Sequence, residues 1–68
     1  MNVVKLKSEL KRYSYKGNYT LCMAKRLVLD VGYTVRLCNK NAYVHKVMYD
    51  GRHTGVSLIE TAKSWFVV

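Results

Sequence analysis

The chain has no proline, no internal repeat and no low-complexity segment. Nothing marks a linker, so residues 1–68 read as one small domain. Long apolar runs are missing too: no stretch approaches the ~18 residues of a membrane span. A signal peptide is not expected either, because Lys5, Lys7, Lys11 and Arg12 interrupt the first thirteen residues. Cysteine is scarce. Cys22 and Cys38 have fifteen residues between them, which is not metal-ligand spacing, and no second pair completes a zinc site. Reduced thiols in a cytoplasmic protein are the expectation, with a single disulfide in a secreted protein as the alternative. The four glycines, at 17, 32, 51 and 55, each sit at a turn or cap position, so no glycine-rich phosphate loop exists.

Acid is the largest deficit. Four Asp and Glu stand against twelve Lys and Arg, a net charge of +8. Such an excess suits a nucleic acid or an acidic protein surface. Half of the residues are hydrophobic, enough for one core. A chain this short buries only ~60% of its unfolded surface, so its stability is marginal.

Val3, Leu6, Leu10 and Tyr13 repeat at helical spacing and predict a first helix over 3–14, capped by Asn2, although Val3-Val4 also suits the start of a strand. Glu9 can pair with Lys5 on its surface. Lys16-Gly17-Asn18 breaks the pattern. A second helix over about 19–31 follows, capped by Asn18 or Thr20, with a stripe of Leu21, Ala24, Leu27, Val28 and Val31 and with Gly32 at the C′ position.

Tyr33–Cys38 alternates strictly and reads as a strand. Asn39-Lys40-Asn41 is a polar turn. Residues 42–49 form a second strand whose faces are ambiguous. One set is Tyr43, His45, Val47 and Tyr49, and the other is Val44, Lys46 and Met48. The first set is placed inward because Lys46 is the costlier residue to bury. Asp50-Gly51 is a strong hairpin signal, and Arg52–Val56 returns as the third strand. Ser57-Leu58-Ile59-Glu60 matches a capping box. Leu58, Ile59, Ala62, Trp65 and Phe66 then fall on one helical stripe. The expected fold is therefore α+β, in the order α-α-β-β-β-α: two N-terminal helices, a three-stranded antiparallel sheet, and a C-terminal helix packed on that sheet. The other sheet face stays open.

On that face Arg36, Lys40, Lys46 and Arg52 form a candidate nucleic-acid site, with cations placed to meet guanine edges or phosphates. Lys5, Lys7, Lys11, Arg12, Lys16, Lys25 and Arg26 form a second basic group from the helices. The bland alternative for both groups is a solvated, soluble surface. The six tyrosines suit either base stacking or cover for a thin core, with core the better reading. Trp65 lies on the apolar stripe and belongs in the core. For catalysis, His45 and His53 offer a general base, but no nucleophile signature accompanies them. No enzyme, cofactor or metal is expected.

Residues 33–66 resemble the three-stranded-sheet-plus-helix DNA-binding domains, the plant ethylene-response-factor domain and the arm-binding domains of tyrosine recombinases. That resemblance implies major-groove reading by the sheet face, with Arg36, Lys46 and Arg52 at the DNA. The element order is also similar to that of double-stranded-RNA-binding domains, matched at Ala62 and Lys63, and to small HicA-type toxins, matched at His45. The resulting expectation is a small basic, regulatory nucleic-acid-binding protein of the cytoplasm, with duplex DNA ahead of RNA. A second reading is a phage or mobile-element accessory or inhibitor that docks on an acidic host protein. A small ribonuclease toxin is the third. A homodimer is compatible with a greasy sheet face at Val44 and Met48.

Overall fold

A computed structural model describes residues 2–38 and 43–68. Two helices open the chain. α1 spans Val3–Ser14, and the Asn2 side chain caps it by accepting from the Lys5 amide at 2.8 Å. Leu6 and Leu10 are its buried stripe. α2 spans Leu21–Asp30. Of the two expected caps Thr20 serves, accepting from the Met23 amide at 3.2 Å. The Gly32 amide donates to the Leu29 carbonyl and the Tyr33 amide to the Val28 carbonyl, the paired bonds of a Schellman ending.

Four strands follow: β1 Thr34–Leu37, β2 Val44–Tyr49, β3 Arg52–Glu60 and β4 Trp65–Val67. They form one antiparallel sheet in chain order. Asp50 and Gly51 both have positive φ, 52° and 77°, and make the tight β2–β3 turn that Asp-Gly favours. Further along this hairpin Met48 faces His53 and Lys46 faces Ser57, so two steps on β2 oppose four on β3. The surplus is a bulge centred on Gly55 at φ 89°. There the Thr54 hydroxyl donates to the Val47 carbonyl at 2.8 Å and accepts from the Val56 amide at 3.3 Å.

The expected C-terminal helix is absent; among the described residues none follows α2, and the sheet has four strands instead of three. The proposed capping box lies inside β3. Ser57 does not cap; its backbone amide donates to the Val68 carbonyl and its carbonyl accepts from the Val68 amide. Thr61–Ser64 is the turn into β4. The Thr61 hydroxyl donates to the Ser64 carbonyl and accepts from the Ser64 amide, both at 2.9 Å. Val56, Leu58 and Glu60 alternate with Ser57 and Ile59, so the same residues serve a strand as well as a helix. The strand wins because it bonds β2 on one side and β4 on the other.

The layer over the sheet is built from the N-terminal helices. Leu6, Leu10, Ala24 and Val28 meet Val47, Val56, Leu58 and Trp65 in one buried cluster. Extents of 30 × 28 × 17 Å fit a slab of one helical layer on one sheet. His45 and Val47 point into this core, as expected for β2, whereas Tyr43 and Tyr49 at its ends are exposed. Trp65 is buried as expected, although it sits on a strand.

Candidate nucleic-acid interface

Strand parity divides the sheet. Val35, Leu37, His45, Val47, Leu58 and Val67 share the face toward the helices through their register, although Leu37 itself is exposed. The alternate positions form the other face, and cross-strand register orders them into rows. Arg36 faces Lys46, and Lys46 faces Ser57. Two residues further along, Val44 faces Ile59, and Ile59 faces Phe66. In the opposite direction Thr34, Met48 and His53 make a third row, with Met48 buried between its neighbours. Phe66 is 45% exposed, and Val68, hydrogen-bonded beside Ser57, is exposed too.

Arg36 and Lys46 are thus cross-strand neighbours of like sign. Such a pair costs folding energy unless an acid or a ligand relieves it. No acid does so. Glu9 is on α1, Asp30 ends α2, Asp50 is in the β2–β3 turn, and Glu60 turns toward His45. Among the described residues neither cation has a carboxylate partner.

The other expected site residues lie elsewhere. Arg52 opens β3 opposite Tyr49, at the hairpin end and off the Arg36–Lys46 row. Lys40 lies outside the described residues, as does the expected turn at Asn39-Lys40-Asn41. Lys5, Lys7, Lys11 and Arg12 are exposed on α1, as is Arg26 on α2, where Lys25 is half-buried. Their helices cover the sheet, so this second basic group belongs to the opposite side of the slab from Arg36 and Lys46.

Arg12 is already engaged. Glu9 pairs with it at 2.6 Å, in place of the expected Lys5 partner. That hydrogen bond and the charge of Glu9 raise the Arg12 pKa above its usual value. Arg12 and Lys16 also sit 5.1 and 5.2 Å from the Tyr13 ring centre. Tyr13 in turn stacks on Tyr19, with centroids 4.4 Å apart. Tyr13 and Tyr19 pack against the core and Tyr33 is in it, as expected of them, whereas Tyr15, Tyr43 and Tyr49 are exposed. Lys7 and Lys11 help line an open cleft of about 350 Å³ between α1 and the Gly55 bulge.

His45 is only 5% exposed, and its Nε2 lies 3.2 Å from Glu60 Oε1. Leu37 and Leu58 flank it across the sheet. A carboxylate only accepts, so Nε2 carries the hydrogen. The imidazole is thereby a satisfied member of the inner layer, whereas His53 is exposed on the far row. No disulfide joins Cys22 and Cys38. Among the described residues no group of three His, Cys, Asp or Glu is placed to hold a metal ion, and no helix is long and apolar enough to cross a membrane.

Sequence reasoning missed Phe66 and Val68 as exposed residues and Ile59 as their half-buried neighbour. The available signal was the alternation of Val56, Leu58 and Glu60 with Ser57 and Ile59. Comparison with protein-family models, curated proteins and solved structures finds no match for this chain.

Proposed function

We propose that this protein binds nucleic acid with the helix-free face of its sheet. The observation that carries the reading is the Arg36–Lys46 pair: two cations in cross-strand register, neither in an ion pair with a carboxylate among the described residues. A phosphate passing over the pair relieves their repulsion and releases counterions, a gain in affinity independent of sequence. The net charge of +8 adds long-range attraction for a polyanion. The helix-layer cations, on the other side, add to this field without sharing the contact.

Mobility shifts with random-sequence DNA and RNA over a salt series test the reading. If about four phosphates are neutralised, the logarithm of affinity falls against log salt with a slope of roughly −3 to −4. R36A/K46A makes that slope about 2 units shallower. K25A/R26A, on α2, leaves more of the affinity intact. A flat salt response overturns the proposal. So does indifference to both polymers at low salt, and capture of an acidic protein under the same conditions then assigns the cations to that partner.

A further inference from the structure

Resting on that reading, we infer that the nucleic acid this face takes is single-stranded, with a base stacked on Phe66 and the backbone led across Lys46 and Arg36. Three observations converge on it. The face is wide: four strands at ~4.8 Å spacing place the outer backbones about 14 Å apart before any side chain is added. B-DNA's major groove is about 12 Å wide and takes a helix or a two-stranded ribbon. A four-stranded face is wider than that groove.

Phosphate contact alone also leaves the neighbouring apolar row unexplained. Beside the cationic row runs the row Val44, Ile59 and Phe66, with Val68 adjoining. Phe66 exposes 45% of its surface on a chain that has one Phe. Duplex DNA keeps its base faces stacked inside and offers an apolar row thymine methyl groups but no ring face. An unpaired strand offers a π-face with every nucleotide, and an aromatic ring beside cations is how sequence-tolerant binders hold it.

The spacing fits. The two rows lie two residues apart along the strands, about 7 Å, and Phe66 on β4 is two strands from Lys46 on β2, about 10 Å. A strand crossing the sheet diagonally meets the ring first and the two cations next. The rival occupant of an apolar sheet face is a second copy of the chain. A copy brings another +8 to a face that has no acid, whereas a polyanion complements it.

The test is fluorescence anisotropy with a labelled oligothymidine and a duplex of equal length, at low and moderate salt, on the full chain. The single strand is expected to bind at least tenfold tighter than the duplex. F66A lowers single-strand affinity by about 5- to 150-fold and leaves duplex affinity within about twofold. F66W restores the loss. F66L keeps an apolar strand residue without a π-face, so it reproduces the loss even where F66A disturbs folding. R36A/K46A weakens both ligands.

Equal affinity for the two ligands with no effect of F66L overturns the single-strand inference and leaves nucleic-acid binding standing. Failure of both ligands to bind at low salt overturns both. Sedimentation that shows a dimer abolished by F66L, with no oligonucleotide bound, assigns the face to a second copy.

Discussion

Trp65 Nε1 donates to the Tyr19 carbonyl oxygen at 2.8 Å, a bond across forty-six positions. It ties the last strand to the segment entering α2. The indole is 4% exposed, and its ring also lies 6.3 Å from that of Tyr19. Removing the donor leaves a partly buried carbonyl without a partner. W65F is expected to cost about 1–2 kcal/mol, and W65A about 3–5 kcal/mol through the cavity as well. Urea denaturation followed by circular dichroism reads both.

The His45–Glu60 contact makes a prediction with an internal control. Truncating Glu60 strands a buried imidazole N–H, so E60A costs about 1–3 kcal/mol. H45L replaces the ring with an apolar side chain between Leu37 and Leu58, where no partner is needed. E60A is therefore expected to cost much less on the H45L background. A double-mutant cycle with a coupling near zero sinks this account of the pair.

Tyr19 gives the fold an alkaline limit. Burial raises its phenol pKa above the ordinary 10.0, and the charges of Tyr13 and Asp30 push the same way. The folded chain therefore holds that proton more tightly than the unfolded chain does. The stability so gained is complete below pH 10 and is lost as pH rises through the raised folded value. Y19F keeps the ring against Tyr13 and Trp65 and has no proton to lose. Above pH 10 the variant is expected to lose less stability per pH unit than the parent. Identical slopes remove Tyr19 from the explanation.

Much of this fold was legible because its signals are local. Asn2 and Thr20 cap where their side chains permit, the stripe of Leu6 and Leu10 follows 3.6 periodicity, and Asp50-Gly51 turns as its φ values require. Through its desolvation cost Lys46 turned His45 and Val47 inward as observed, but Met48, placed outward with it, is buried, and Tyr43 and Tyr49 are exposed. Residues 57–66 were not legible, since Leu58, Ile59, Trp65 and Phe66 satisfy a helical stripe and a pair of strands alike. What separates the two is non-local: the ladder to β2 and the return of Val68 to Ser57. The site divides in the same way. The outward parity of Arg36 and Lys46 follows from alternation within each strand. Their meeting depends on the β1–β2 register, which no residue inside either strand announces. Phe66 was hidden by the helix assigned to its segment.

The Gly55 bulge is where backbone conformation alone sets the energy. Its φ is 89°, and a Cβ built there has nothing within 4 Å. A substitution meets no clash, so any cost is the cost of placing an L-residue in that region. G55A is expected to lose about 1 kcal/mol or more. The loss should come with a local change. The surplus residues of β3 separate the Met48–His53 pairing from the Lys46–Ser57 pairing. A chain that relaxes the strain shifts one register against the other, and amide exchange at Val47 and Val56 reports it before the helices respond. G55N, whose side chain tolerates positive φ better than alanine, recovers part of the loss. If G55A instead matches the parent in stability and exchange, the bulge is not a strained element.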